Sequence, residues 1–83
     1  MFYLYIIQSI KTDEIYIGST KDLRVRFSDH NKGNTTSTKS ARPWKLIYYE
    51  AYLTQKLALT REKKLKQYGK SLAMLKKRIG LVD

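Results

Sequence analysis

The sequence contains no cysteine and only one histidine in 83 residues. Without cysteine the chain has no thiol nucleophile, no zinc–thiolate site and no disulfide, and it gives no sign of an oxidising compartment. A Ser-His-Asp triad would have to use His30, but no Gly-x-Ser-x-Gly segment accompanies it. Zinc centres need at least three ligands at characteristic spacings, and those spacings are absent.

Acidic residues are also scarce, with seven Asp and Glu against 17 Lys and Arg. Most of them fall at predicted caps, turns or the terminus, namely Asp13, Glu14, Asp22, Asp29 and Asp83. Of the other two, Glu50 lies inside a predicted strand and Glu62 inside a predicted helix. This distribution argues against the facing carboxylates of a glycosidase and the carboxylate cluster of a two-metal nuclease. Glycine-rich nucleotide-binding loops are missing as well.

Long apolar runs are absent too. The opening MFYLYIIQSIK is apolar but short, and it has neither a basic leader nor a small-residue cleavage site, so we expect a strand there and not a signal peptide. No apolar run approaches the roughly 20 residues that span a bilayer. We therefore expect a soluble, cytoplasmic protein without a membrane segment, folded as a single domain over residues 1–83.

The charge that is present is strongly positive. The formal net charge is +10 and the isoelectric point is near 10.0. A field of that sign on so small a chain attracts polyanions, and nucleic acid is the partner we expect first. An anionic membrane surface or an acidic protein partner, bound through the basic C-terminal helices, is the weaker alternative.

The pattern of apolar residues predicts the element order β-β-α-β-α-α. FYLYIIQS and IYIGST are rich in β-branched and aromatic residues and predict a hairpin of two strands. A third strand is predicted at Trp44–Leu53, before a helix that Thr54 caps and that runs to about Tyr68, ended by Gly69. A last helix is predicted at about 71–80, capped by Ser71. The fold class is α+β, a small antiparallel sheet flanked by helices.

The first helix is predicted to begin after Asp22, a favourable N-cap, and to stop near Gly33. Its residues Leu23, Arg26, Phe27 and His30 recur at i, i+3, i+4 and i+7 and therefore share one stripe. Arg24 falls on roughly the opposite side and points to solvent. The two arginines are thus not equivalent, because Arg26 lies beside the apolar seam near His30.

The segment GNTTSTKSARP is predicted to be a polar loop, too hydrophilic for the core. Its hydroxyls, its backbone amides and the side chains of Lys39 and Arg42 suit phosphate contacts, although a mobile surface loop is an equal alternative.

The second predicted helix has the apolar set Leu57, Ala58, Leu59, Leu65 and Tyr68, and Arg61 and Glu62 fall within the same arc. From Thr54 to Val82 the chain has nine Lys and Arg and the single acid Glu62. Glu62 is therefore a candidate metal ligand or, alternatively, an i,i+4 partner of Lys66.

Four blocks in this order resemble the GIY-YIG nuclease superfamily. They are YLY at 3–5 with YIG at 16–18, TKDLRVRFSDHNKG after them, RPWKLIYYEAY, and ALTREKKLK. The resemblance runs from Phe2 to about Lys66 and leaves the last helix outside. It is closest to a small stand-alone bacterial branch, and the nuclease subunits of excision repair and junction-resolving complexes share the module.

The resemblance implies a DNA endonuclease that hydrolyses phosphodiesters. Tyr5 and Tyr16 would be the motif tyrosines at the scissile phosphate, Arg26 the essential arginine, His30 the helix residue near the phosphate, and Glu62 the ligand of one Mg²⁺ or Mn²⁺ ion. Gly18 is expected to let the backbone turn beneath this site. We expect the remaining nucleic-acid contacts at six basic residues, Lys21, Arg24, Lys39, Arg42, Lys63 and Lys66.

The sequence departs from the family pattern at two places. The first motif keeps only its final tyrosine, and the late asparagine of the family is missing, since Asn31 and Asn34 both lie early in the chain. A non-catalytic nucleic-acid-binding module that retains the nuclease fold is therefore the alternative. So small a nuclease would cover little DNA, and we expect low intrinsic activity or a protein partner that targets it.

Overall fold

A computed structural model of the chain describes residues 1–67 and 69–81. Within them the elements follow the predicted order β-β-α-β-α-α, with one additional 3₁₀ turn at Lys39–Ala41. The bounds are β1 Phe2–Ser9, β2 Ile15–Thr20, α1 Leu23–Lys32, β3 Trp44–Tyr52, α2 Gln55–Gln67 and α3 Gly69–Arg78. The predicted end of α2 at Tyr68, and the terminal residues Val82 and Asp83, lie outside the described residues. In the described part, no helix combines the length and the apolar character of a membrane span.

The three strands form one antiparallel sheet in the order β2-β1-β3, so the α+β class and the antiparallel sheet are confirmed. The first strand is central because it pairs with both others, and its residues Leu4, Tyr5, Ile6 and Ile7 are buried. Tyr5 lies opposite Gly18 of β2 on one side and opposite Tyr49 of β3 on the other. This register fixes what surrounds the Tyr5 ring.

Helices cover both faces of the sheet, and the alternation of side chains along β1 assigns each residue to a face. One face carries Leu4 and Ile6 and packs with Ile17 against Leu65 of α2 and Leu75 of α3. The opposite face carries Tyr5 and Ile7 and is covered by α1 and the segment that follows it, through a second cluster that includes Trp44, Ala41, Leu23 and Phe27.

A β-bulge interrupts β3 at Ile47. Ile6 pairs with Tyr48 and Ile7 with Leu46, so Ile47 is an extra residue without a partner on β1. The alternation of side chains between the two faces of the sheet is therefore shifted by one residue after the bulge. As a result, Ile47 and Tyr48 both pack on the α2 face. By the same shift, Leu46 and Tyr49 both face the α1 side, although simple alternation would separate them.

The ends of α1 agree with prediction. The Asp22 side chain accepts a hydrogen bond from the Val25 N–H, and Gly33 closes the helix in the left-handed region at φ 80°. Thr54 caps α2 as predicted, accepting from the Leu57 N–H at 3.2 Å.

The prediction for Gly69 was wrong. It begins α3 instead of ending α2, so α3 starts two residues before Ser71. Glycine tolerates the first turn of a helix because little backbone pairing is required of it there.

Burial departs from the sequence pattern at two places. Leu57 and Leu59 of α2 are 50% and 48% exposed, and the inward residues of this helix are Ala58 and Leu65. The loop after α1, predicted to be too polar for the core, buries Thr38 and Ala41. A hydroxyl is buried without penalty where it finds hydrogen-bond partners, and a residue count does not reveal whether they exist.

A polar cluster centred on Glu50 ties β3 to α2. The Arg61 guanidinium donates from Nε and Nη2 to the two carboxylate oxygens at 3.0 and 3.2 Å, and the hydroxyls of Tyr48 and Tyr52 donate to the same carboxylate. Burial alone would raise the pKa of Glu50, but these donors outweigh it and hold the pKa below its usual value. Burial and the carboxylate raise the pKa of Tyr52 to about 12. The carboxylate is therefore ionised, and it fixes the helix that carries Glu62.

We expect Glu50→Gln to lower the free energy of unfolding at neutral pH by about 2–4 kcal/mol, because Arg61 loses its ionic partner in a half-buried place. The pKa of Glu50 is lowered by folding, so its contribution is present above 4.5 and is lost as the pH falls through the lowered value. Urea denaturation across acid pH measures both effects. Glu14→Gln, at an exposed turn, is the control; an equal loss in both variants would contradict the assignment.

Candidate active site

The site begins with a close approach between Tyr5 and Gly18. The glycine lies inside β2, directly opposite Tyr5, and not at a turn as the sequence had suggested. A Cβ atom on Gly18 would lie 2.6 Å from the Tyr5 hydroxyl and 2.7 Å from its Cζ. Because Gly18 has no side chain, the end of the Tyr5 ring can occupy the space that a Cβ atom would fill.

A buried hydrogen-bonded chain holds the Tyr5 hydroxyl. It lies 2.7 Å from Nε2 of His30, and Nδ1 of His30 lies 2.8 Å from Oγ1 of Thr38. Tyr5, His30 and Thr38 are each no more than 1% exposed. With Nδ1 protonated, His30 donates a hydrogen bond to Thr38 Oγ1 and its Nε2 accepts one from the Tyr5 hydroxyl, so every member of the chain has a partner.

Burial decides the protonation of this chain. It lowers the pKa of His30, and the nearby Arg26 charge lowers it further. It also raises the pKa of Tyr5, with the contact to Arg26 offsetting part of that rise. At neutral pH the pair is therefore a neutral imidazole and a protonated phenol.

Tyr16 and Arg26 form the accessible side of the cluster. The Tyr16 ring stands edge-on to the His30 ring with centroids 5.1 Å apart, and it lies 6.5 Å from the Tyr5 ring. Polar contact with Tyr5, and to a lesser degree the neighbouring Tyr16, raises the pKa of Arg26, so its guanidinium stays charged. Both Tyr16 and Arg26 are partly exposed, so a bound anion can reach them.

Glu62 reaches the same edge of the sheet from the other layer. Its Oε1 accepts a hydrogen bond from Ser19 Oγ at 2.7 Å, and its Oε2 pairs with Lys66 Nζ at 2.6 Å. The i,i+4 pairing with Lys66 that the sequence offered is thus present. The Lys66 ammonium also lies 5.8 Å from the centre of the Tyr16 ring. The carboxylate therefore stands on one side of strand β2, with Tyr16 and Arg26 on the other.

The arrangement fits a cation held by one carboxylate. Residues 1–67 and 69–81 contain no group of three or more His, Asp or Glu side chains that would enclose a metal. The Glu62 side chain, 19% exposed, already pairs with one cation in the form of the Lys66 ammonium. Mg²⁺ commonly binds through one or two carboxylates and fills its other positions with water and phosphate oxygens.

The predicted nucleic-acid contacts are dispersed around this cluster. Lys66 joins it directly through Glu62, whereas Lys21 and Arg24 line a groove between α1 and β3. Lys39 and Arg42 line a separate concavity, where Arg42 Nη1 also donates to the Lys32 carbonyl at the end of α1. Lys63 lies on the outer side of α2. The structure therefore gathers Tyr5, Tyr16, Arg26, His30 and Glu62 and leaves most of the lysines outside.

Sequence reasoning missed Ser19 and Thr38. The alternation along β2 places Ser19 on the face opposite Tyr16, so a helix on that face would have indicated it as a partner for Glu62. Thr38 is one of several hydroxyl residues in its loop, and no pattern distinguishes it from its neighbours. Its role follows only from the contact with His30.

Paired tyrosines on neighbouring strands, an arginine on the following helix and a carboxylate on a later one define a nuclease-type domain. Residues 1–78 match the family model described as the GIY-YIG catalytic domain, a range that includes α3. The chain belongs to the GIY-YIG family.

Among its relatives are small UPF0213 proteins of similar length. A UPF0213 protein of Staphylococcus aureus strain Mu3, and the UPF0213 protein SAV0488 of strain Mu50, are each 37% identical to it over 79 residues, which are 92% of this chain and 95% of theirs. The solution NMR structure of the UPF0213 protein BH0048 from Bacillus halodurans superposes with a TM-score of 0.57 at 25% identity. That superposition covers 96% of this chain and 88% of the other.

We expect Gly18→Ala to destabilise the protein by about 1–3 kcal/mol, because the added methyl group displaces the Tyr5 ring from His30. Thermal unfolding measures the loss. The matched control is Gly69→Ala, where the added carbon meets no atom of the described residues within 4 Å, apart from the adjacent residues and the backbone of its own helix. Part of the cost should disappear in a Tyr5→Leu background, as a double-mutant cycle would measure. Equal costs in both backgrounds would place the strain elsewhere.

The lowered pKa of His30 predicts a pH dependence of stability. The unfolded chain takes up the His30 proton near 6.5, whereas the folded chain takes it up only at lower pH, so stability falls as the pH drops below 6.5. His30→Gln should flatten this dependence between about pH 5 and 7, as urea midpoints at several pH values would measure. An unchanged pH profile in the variant would contradict the neutral imidazole.

Proposed function

We propose that the chain is a DNA endonuclease domain that hydrolyses a phosphodiester with Tyr16, Arg26 and one divalent cation at Glu62. The observation that carries the proposal is the convergence of these three side chains on the β2 edge. Tyr16 is 5.1 Å from His30 by ring centroids, Arg26 lies close enough to both phenols for them to raise the pKa of its guanidinium, and Glu62 accepts a hydrogen bond from Ser19 of the same strand as Tyr16.

Arg26 is the residue we assign to the phosphate. Its charge is fixed, and phosphoryl transfer places negative charge on the non-bridging oxygens of the transition state. The water oxygen forms a bond to phosphorus, the bond from phosphorus to one sugar oxygen breaks, and that oxygen gains a proton. A guanidinium donates to two such oxygens at once, which a lysine in the same place would not do.

Tyr16 is the phenol we assign to the attacking water. It is partly exposed, whereas Tyr5 is buried under α1. The Lys66 ammonium lies 5.8 Å from the centre of the Tyr16 ring and the Arg26 guanidinium lies close by, so a phosphate attracted by these charges would come next to the Tyr16 hydroxyl. Tyr16 would therefore orient the water and accept its proton.

Tyr5 and His30 are assigned as positioning residues. The Tyr5 hydroxyl is engaged by His30, and both side chains lie below the surface that a substrate reaches. They form the base on which Tyr16 and Arg26 rest, since the ring of Tyr16 packs on His30 and the Arg26 guanidinium lies beside the Tyr5 hydroxyl. Their loss would move the groups that touch the phosphate.

Glu62 is assigned to the metal, Mg²⁺ or Mn²⁺. A bound cation of this kind would neutralise charge on the leaving oxygen and lower the pKa of a bound water. Lys66 would have to leave Oε2 to make room for it. As a half-exposed side chain next to Tyr16, it is placed to move to a substrate phosphate, which makes Lys66 part of the nucleic-acid contact as well.

A non-catalytic nucleic-acid-binding module is the second candidate, and one observation favours it. Both carboxylate oxygens of Glu62 are engaged by protein donors, Ser19 and Lys66. If the ion pair persists when DNA is bound, no cation enters and the domain binds without cutting. The net charge of +10 supports binding in either case.

Cleavage assays separate the two candidates. Purified protein is incubated with nicked, flapped, branched and linear DNA in Mg²⁺ or Mn²⁺. We expect metal-dependent products from the wild type and a loss of about 100-fold or more in rate for Arg26→Ala and Glu62→Gln. Tyr16→Phe should lower the single-turnover rate while leaving DNA affinity in EDTA unchanged.

Glu14→Gln is the matched control for Glu62, because it removes one charge from an exposed side chain at the turn before β2. The metal assignment has a second measurement. Mn²⁺ binding by calorimetry should weaken in Glu62→Gln and strengthen in Lys66→Met, which removes the competing ammonium. A wild type that cuts nothing, or an Arg26→Ala variant that cuts as fast as wild type, would refute the endonuclease assignment.

A further inference from the structure

A second concave surface lies beside the candidate active site, on the other flank of α1. It is a groove of about 460 Å³ between the start of α1 and strand β3. Its floor is apolar and aromatic and its rim is basic; the residues concerned are Tyr3, Leu46, Tyr49, Phe27, Lys21 and Arg24. Neither the tyrosine motif nor the metal site makes use of it.

The β-bulge at Ile47 creates this floor. Because of the shift in phase, Leu46 and Tyr49 stand on the same face of β3. Tyr49 packs edge-on to Tyr3 with ring centroids 6.2 Å apart, yet 55% of Tyr49 remains exposed. An aromatic side chain held at one edge and open to solvent is a platform for stacking.

Helix α1 divides the two sites. At about 100° per residue, Arg24 and Arg26 project from opposite flanks of the helix. Arg26 lies on the side of Tyr16, and Arg24 lies on the side of Tyr49. Tyr49 is the register partner of Tyr5 on the neighbouring strand, so the groove starts about 5 Å from the buried tyrosine.

The charges around the groove favour a polyanion with flat, apolar parts. Lys21 and Arg24 are both exposed at the rim. The one acid of the groove, Asp22, is engaged as the N-cap of α1 through the Val25 N–H. Aromatic side chains that stack bases, flanked by cations that contact phosphates, are the usual composition of surfaces that bind unpaired nucleotides.

We propose that the groove between α1 and β3 binds an unpaired nucleobase of the nucleic-acid strand, stacked on Tyr49 over Leu46, with Lys21 and Arg24 on the adjoining phosphates. The position of the scissile phosphate at Tyr16 and Arg26 rests on the function proposed above. A base inside an intact duplex is stacked between its neighbours and does not enter such a groove. The domain therefore selects DNA with at least one unpaired nucleotide next to the bond at the active site.

Binding in EDTA tests the groove without cleavage. The probes are a fluorescein-labelled oligothymidine of 12 nucleotides and a labelled 12-base-pair duplex, followed by fluorescence anisotropy. Tyr49→Ala should weaken binding of the oligothymidine about 5- to 150-fold, the range for loss of one stacked base, and change duplex binding less than about twofold. Tyr49→Phe should bind as the wild type does, because stacking uses the ring and not the hydroxyl.

The basic rim has its own control. Lys21→Ala and Arg24→Ala should weaken binding of the oligothymidine and each reduce the salt dependence by about one phosphate contact. Lys45, next to buried Trp44, is an exposed residue on the face of β3 that points away from the groove. Lys45→Ala removes the same charge and should leave the selectivity for the unpaired probe unchanged.

Three results would overturn the inference: no effect of Tyr49→Ala on the oligothymidine, an equal loss on the duplex, or an equal dependence on Tyr49 for an oligoglutamate of similar length. The last would assign the groove to an acidic peptide.

The proposed function fails separately. If the wild type cuts no DNA while Tyr49→Ala still weakens the oligothymidine, the base site stands without the nuclease; if the wild type cuts and Tyr49 has no effect, only the base site is refuted.

Discussion

The placement of the Tyr5 ring against the bare backbone of Gly18 is the constraint on which the candidate site depends. The ring fills the space that a side chain on β2 would occupy, and this brings its hydroxyl to His30. His30 in turn is fixed by Thr38, so one hydrogen-bonded chain joins β1, α1 and the loop before β3. Burial keeps the imidazole neutral, which lets it accept a hydrogen bond from the Tyr5 hydroxyl and avoids a buried charge beside the Arg26 guanidinium. The accessible groups rest on this neutral base.

The opposite layer meets a different requirement, that of holding a charged carboxylate at the sheet edge. An ion pair and a hydrogen bond made by consecutive residues of α2 achieve this. Arg61 attaches the helix to Glu50 on β3, and the next residue, Glu62, reaches Ser19 on β2. Because β2 and β3 lie on either side of β1, the helix is anchored at both edges of the sheet. A rotation of α2 would break one anchor or the other, which fixes the direction of Glu62.

The sequence predicted the element order, the antiparallel sheet and the stripe of Arg26 and His30 on α1, because each depends on local periodicity or on a spaced motif. It also placed Glu62 and Lys66 within one helical turn, where they pair. It failed where a tertiary contact decides. Gly18 looked like a turn residue, but its function is set by the tyrosine across the strand pair. Thr38 looked like surface, and the bulge at Ile47 has no local mark, since it depends on how β3 aligns with β1.

That bulge connects the fold to its proposed use. A regular β3 would send Leu46 and Tyr49 to opposite faces, leaving the flank of α1 next to Arg24 without an aromatic floor. With the extra residue, the same strand supplies Tyr48 to the Glu50 cluster on one face and Tyr49 to the groove on the other. Tyr48 and Tyr49 therefore lie on opposite faces of the sheet. Tyr48 helps to fix the helix that carries Glu62, and Tyr49 faces solvent beside Tyr5. A three-stranded sheet has room for a phosphate site and a base site because α1 separates them, with Arg26 on one flank and Arg24 on the other.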